Sequence, residues 1–176
     1  MKKIVIGGAI LVTLLSVAGY AWLGGFQTEK ISEVSHPRQI VYGTTYQGKY
    51  GDLKLREIVV KTKQLLEDPT LSGRLVVVNY DSTAASEEIN QLIGIITSDA
   101  SSEALQNLTQ DSLAEGSYLR VQLYGHPVVR STPEQVDQKV KKYAEQRQLT
   151  LGEEVIEHYF ESDSMWIEYS VEGKQQ

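Results

Sequence analysis

Apolar positions follow several rhythms along this chain of 176 residues, and each rhythm predicts a different element. From Ile4 to Leu23 they run without a charge. At 1.5 Å per residue, about twenty residues make a helix of roughly 30 Å, the thickness of a bilayer's hydrocarbon core. Leu55, Ile58, Val59, Thr62, Leu65 and Leu66 then fall on one stripe of a helix over 53–67, capped by Asp52 and ended by Pro69 and Gly73. Val136, Val140, Tyr143 and Ala144 mark another such stripe. It starts at Thr132-Pro133-Glu134-Gln135: a cap, a proline at the first position and a glutamine in the capping-box place. Strands are predicted at 39–47, 75–80, 88–97, 117–124, 154–160 and 165–172. The fourth alternates cleanly, with Leu119, Val121 and Leu123 on one face and Tyr118, Arg120, Gln122 and Tyr124 on the other. Residues 24–37 read as a polar linker, and 99–115 as a polar connection with a short helix at 103–108.

The order is strand-helix-strand-strand, used twice. Two such units predict an α+β domain: one mostly antiparallel sheet, both helices on the same face, the other face left for solvent, a partner or a ligand. The organisation expected is a transmembrane anchor over 1–26, a linker over 27–37 and the domain over 38–173.

Composition narrows the chemistry. A net charge of -6 argues against a nucleic-acid partner, which favours a basic face. The absence of cysteine excludes disulfides, thiolate metal sites and cysteine nucleophiles. His36, His126 and His158 lack metal-ligand spacing, and no motif calls for a cofactor. The length of the apolar run favours an uncleaved anchor contacting lipid through residues 4–23 over a signal peptide cut near Gly19-Tyr20-Ala21. Lys2 and Lys3 favour a cytoplasmic N-terminus, which in a bacterium places the domain in the periplasm or outside the cell.

The last hairpin carries the candidate site. The simplest register pairs Phe160 with Met165, Tyr159 with Trp166, His158 with Ile167 and Glu157 with Glu168. It puts Ile156, His158, Phe160, Met165, Ile167 and Tyr169 under the helices, and Glu157, Tyr159, Trp166 and Glu168 together on the bare face. Carboxylates directly opposite one another destabilise a strand pair, so stability alone does not explain them. Beside two aromatic rings they suit an organic cation. The bland reading is an ordinary exposed hairpin face, with Arg120 neutralising one acid in a structural salt bridge.

These stretches resemble the GyrI-like small-molecule-binding domain. Val41-Tyr42-Gly43 with Gln47-Gly48-Lys49-Tyr50 is similar to the family's first strand and its Gly-Pro-aromatic turn. Val78-Asn79-Tyr80-Asp81, Glu115-Gly116-Ser117-Tyr118, Ile156-Glu157-His158-Tyr159 and Trp166-Ile167-Glu168-Tyr169 resemble later segments in the family's order. The resemblance runs from Pro37 to about Glu172. It implies Glu157 as the ligand-contacting acid, with Tyr80, Tyr118, Tyr159 and Trp166 near the pocket walls. The chain departs from the family at Tyr124-Gly125-His126-Pro127, where the second turn lacks the usual motif, and at Val78, where the first half has no acid. It also resembles a membrane-anchored branch that includes a vertebrate ER-phagy receptor. That receptor recruits its partner through a long acidic tail, and no such tail precedes Gln176, so this activity is not carried over.

The leading expectation is a membrane-tethered domain that binds a small cationic or amphipathic organic molecule. The expected ligand residues are Glu157, Tyr159, Trp166 and Glu168, with Tyr118, Tyr80 and Arg120 nearby. Binding should weaken as the carboxylates protonate. Two alternatives are carried: a hydrolase of strained or toxic small molecules using Glu157, and a protein-interaction module at the membrane. No helix-turn-helix segment precedes the domain, which disfavours a DNA-binding role.

Overall fold

The capping signals form as read. In a computed structural model describing residues 2–68, 71–80, 88–98, 103–160 and 164–172 (backbone alone for 2–10), the elements follow in this order. They are α1 (Lys2–Trp22), β1 (Lys30–His36), β2 (Gln39–Lys49), α2 (Leu53–Leu66), β3 (Gly73–Asn79), β4 (Glu88–Thr97), a short 3-10 turn Glu103–Leu105, β5 (Thr109–Leu113), β6 (Gly116–Leu123), α3 (Pro133–Arg147), β7 (Thr150–Tyr159) and β8 (Met165–Glu172). Asp52 accepts from the Lys54 N–H at the start of α2. At the start of α3, Thr132 and Gln135 complete a reciprocal capping box. Thr132→Ala is expected to cost about 1 kcal/mol. Urea unfolding measures this, and an unchanged midpoint would make the box dispensable.

The strands make one 8-stranded sheet in the order β1-β6-β8-β7-β3-β4-β2-β5, antiparallel throughout. The duplication is visible in it: β3-β4-β2 mirrors β7-β8-β6 across the central β3·β7 pair. Both helices cover one face. Val136, Val140 and Ala144 of α3 pack on Leu119, Val121, Leu123, Met165, Ile167 and Tyr169. Leu55, Ile58, Val59 and Leu66 of α2 pack on Tyr46, Leu75, Val77 and Ile93. Tyr159 belongs to both clusters and joins them.

Several expectations are corrected. The stretch 24–37 is not a linker throughout, because Lys30–His36 pairs with β6 as an edge strand. The connection 99–115 likewise contributes β5, which pairs with β2. The face opposite the helices is not left open. Val41, Val76, Val78, Leu92, Leu113, Tyr118 and Ile156 form a second buried cluster there.

Chain connectivity explains that cluster. Only Pro37 and Arg38 separate β1 at one edge from β2 near the other, and only Ala114 and Glu115 separate β5 from β6. Three residue steps reach at most about 11 Å. The sheet must therefore curl until its edges approach, and its concave face becomes an interior. Gly43 and Gly94 oppose each other in β2 and β4, and a Cβ on Gly94 would stand 2.6 Å from the Tyr42 carbonyl, so this tight stretch excludes side chains.

The hairpin register is the correction that matters most for the site. Tyr159 pairs with Met165, His158 with Trp166, Glu157 with Ile167 and Ile156 with Glu168. This is one residue away from the simplest register, and a one-residue slip turns every side chain of a strand to the other face. Phe160 N–H bonds the Ser164 carbonyl to close the hairpin, and residues 161–163 lie outside the described residues. The physical reason is that both faces are buried. With an apolar interior on each side, Ile156 and His158 can pack on the concave face while Val155 and Tyr159 pack under the helices.

Among the described residues no helix is long and apolar enough to cross a membrane, the side chains of α1 being described from Leu11 onward.

Candidate functional site

The slipped register separates the expected quartet. Glu157 and Tyr159 point to the helix side; Trp166 and Glu168 point into the concave interior. The acids do not meet, and each finds a different chemical setting.

Glu168 is the centre of a buried polar cluster and is 1% exposed. Its Oε1 lies 2.6 Å from Arg120 Nε and 3.1 Å from His36 Nε2; its Oε2 lies 3.0 Å from His158 Nε2. Arg74 Nε donates to His158 Nδ1 at 3.1 Å, and its Nη2 donates to Gln39. Because His158 Nδ1 accepts, the neutral ring carries its proton on Nε2 and donates to Glu168. Burial lowers the His158 pKa, which agrees with that neutral form. Burial alone would raise the Glu168 pKa, but the bonds and charges of His158, Arg120 and His36 outweigh it and hold the carboxyl at about 2. Arg120 also stacks over Trp166 at 4.1 Å, and Phe160 meets the same ring at 4.6 Å. The structural salt bridge weighed as the bland reading of Arg120 is therefore present. Trp166, Glu168 and Arg120 brace the sheet against itself, tying β8 and β6 to β1, β7 and β3.

Tyr80 and Tyr118 lie on the concave face too, away from Glu157. Tyr80 donates to Asp111 at 2.7 Å. Tyr118 donates to the Ala114 carbonyl at 2.9 Å and reaches Glu154 at 3.4 Å. Burial, then Glu154, pushes the Tyr118 hydroxyl up to about 12, and burial raises the Glu154 carboxyl.

Glu157 differs from Glu168 in the respect that matters for a ligand. It is half-buried, accepts from Tyr159 Oη at 2.5 Å and from Asn79 Nδ2 at 3.3 Å, and has no cationic partner within ion-pair distance among the described residues. Gln91 holds Asn79 in turn. Burial, then the Glu157 charge, raises the Tyr159 pKa, while Arg130 opposes that rise. Tyr159 also lines a cavity of about 770 Å³ bounded by Lys63, Leu66, Glu67 and Leu71 near the end of α2, by Arg74 and Leu75 of β3, and by Phe160. Tyr159 thus lines the cavity and donates to Glu157, which is not itself one of the cavity's walls, while Tyr80, Tyr118, Arg120, Trp166 and Glu168 point to the other side of the sheet.

Asn79, Arg74, His158 and His36 were missed by the sequence reading. Arg74 could have been noticed as a charge opening an apolar strand, and His158 as a polar residue in a run that buries both faces. His36 carried no signal, because its stretch reads as a linker until β6 is beside it.

No family model matches the chain, and no curated protein matches it. Solved structures do. SAV2435 bound to tetraphenylphosphonium aligns at a TM-score of 0.51 with 15% identity, covering 82% of this chain and 94% of that one. EcmrR in its DNA complex aligns at 0.60 with 12% identity, covering 97% and 68%. A hydrolase from Listeria innocua aligns at 0.60 with 8% identity, covering 81% and 92%. These alignments show a shared fold, the α+β plan with one antiparallel sheet that the repeated strand-helix-strand-strand pattern predicts.

Proposed function

We propose that this protein binds a small organic cation of amphipathic character in the cavity beside Tyr159. Tyr159 is the aromatic wall, and Glu157, bonded to the Tyr159 hydroxyl just behind that wall, supplies the opposing charge. α1 tethers the domain to a membrane, in a single pass with the N-terminus in the cytoplasm. The observation that carries the reading is the contrast between the acids. Glu168 is satisfied by two imidazoles and a guanidinium, whereas Glu157 is half-buried with hydrogen-bond donors only. A carboxylate held beside a ring without a counter-ion favours a guest that brings one. SAV2435 bound to tetraphenylphosphonium, a structure of the same fold, supports that class of guest.

The test is a titration of the full chain in detergent micelles with tetraphenylphosphonium. Glu157→Gln keeps the shape of the side chain and removes its charge, and should raise Kd about tenfold, which is 1.4 kcal/mol. Circular dichroism checks that the variant is folded. Equal affinity of the variant and the unaltered chain would remove the basis for the proposal. Release of the chain from vesicles by an alkaline wash would count against α1 as an anchor.

A further inference from the structure

The end of α1 and the cavity lie at the same end of the sheet. After α1 the chain does not enter a slack linker. His126 N–H bonds the Leu23 carbonyl at 2.9 Å. Gly24 and Gly125, at φ 84° and 83°, pack backbone to backbone, and a Cβ on Gly125 would stand 2.8 Å from the Leu23 oxygen. Tyr20 meets Phe26 edge-on at 5.0 Å, and Glu29 pairs with Lys139. The last turn of α1 is therefore fixed to the loop between β6 and α3. Around that joint the apolar side chains face outward: Trp22 is 87% exposed, Phe26 67% and Val128 79%. Leu11 to Val17 of α1 are exposed as well.

The strand registers carry this level across to the cavity. Leu123 at the end of β6 pairs with Met165, Met165 with Tyr159, and Tyr159 with Leu75. Three strand spacings make roughly 14 Å. Tyr159 and Leu75 are cavity walls, with Phe160, Leu66 and Leu71 beside them and Lys63 at the rim. The opposite end of the sheet, at Glu115, is about 25 Å away along β6.

We propose that the cavity mouth faces the bilayer, and that its ligand is a membrane-partitioned amphipath taken from the lipid interface rather than from bulk water. This rests on the tethered, ligand-binding reading above. Trp22, Phe26 and Val128 sit at interfacial depth, where aromatic and apolar side chains are favoured. The fixed joint then holds the mouth at the same depth. A molecule concentrated in the interface meets the cavity at high local concentration.

The chain has no cysteine, so single cysteines accept a label uniquely. Val128→Cys, Ser72→Cys and Glu115→Cys place an environment-sensitive dye on exposed positions at the joint, the cavity rim and the far end. The full chain is reconstituted into phosphatidylcholine vesicles carrying a headgroup-level nitroxide quencher. The labels at 128 and 72 should be quenched at least about threefold more than the label at 115. Quenching at 128 alone would overturn the orientation of the mouth. Equal quenching at all three positions would overturn the docking as a whole. Both results leave the micelle titration with tetraphenylphosphonium standing. If 128 and 72 are quenched but Glu157→Gln binds the probe unchanged in micelles, the orientation holds and the ligand assignment fails.

Discussion

Glu168→Ala is expected to lower the unfolding free energy by about 3–5 kcal/mol, the largest effect of any single exchange considered. The reason is what the alanine leaves behind. Arg120 loses its carboxylate partner, His158 Nε2–H loses its acceptor, and Arg74 stays bonded to a ring that has lost its anchor. Two guanidiniums and two imidazoles then share an interior without an anion. The size of the effect does not measure how much the intact cluster contributes, since a buried pair can be no better than an apolar replacement while the loss of one member is costly. For a domain of this size the melting temperature should fall by roughly 10–15 °C. Denaturant unfolding of the full chain in micelles measures it. A loss under about 1 kcal/mol would show that the cluster is open to water.

Acid should destabilise the protein through the same residues, in two windows. His158 is held neutral, its pKa lowered by burial. Its contribution is complete above the ordinary histidine pKa of 6.5 and declines as pH falls below that value, because the unfolded chain takes up the proton first. Glu168 is shifted from 4.5 to about 2. Its contribution is complete above 4.5 and is lost as pH falls from there toward 2. The shift corresponds to about 3 kcal/mol. Stability measured against pH should therefore fall gently below 6.5 and steeply below 4.5, and the steep limb should be reduced in Glu168→Gln. A flat profile between pH 5 and 3 in the unaltered chain would contradict the charged, buried state of Glu168.

These expectations separate two acids that looked equivalent along the chain. Glu168 is a structural residue: its neighbours complete its charge and hydrogen bonds. Glu157 is held by hydrogen bonds from Tyr159 and Asn79 that orient it without neutralising it. Exchanging Glu157 should be read in binding, and exchanging Glu168 in stability. The reverse pattern would show that the two roles have been transposed.

Local signals settled most of the elements. The helix from Leu53 and the helix from Pro133 follow from cap chemistry and apolar stripes, which need only neighbouring residues to act. The faces of Tyr118 to Leu123 follow from alternation, and Met165, Ile167 and Tyr169 lie under the helices as their pattern implies. Lys30–His36 and Thr109–Leu113 were illegible because an edge strand takes its order from the ladder it joins. Alternation also failed at Ile156 to Phe160. It assigns a register only when one face is apolar and the other wet, and here both faces are buried.

From its own residues, then, the chain determined its repeated strand-helix-strand-strand plan, its helix starts and the apolar length of its first segment. Periodicity and capping act over a few residues and survive without a partner. Tertiary structure decided the curl of the sheet, the register of the last hairpin and the separation of Glu157 from Glu168. Those depend on short links drawing distant edges together, and on which charges meet once water has been excluded between them.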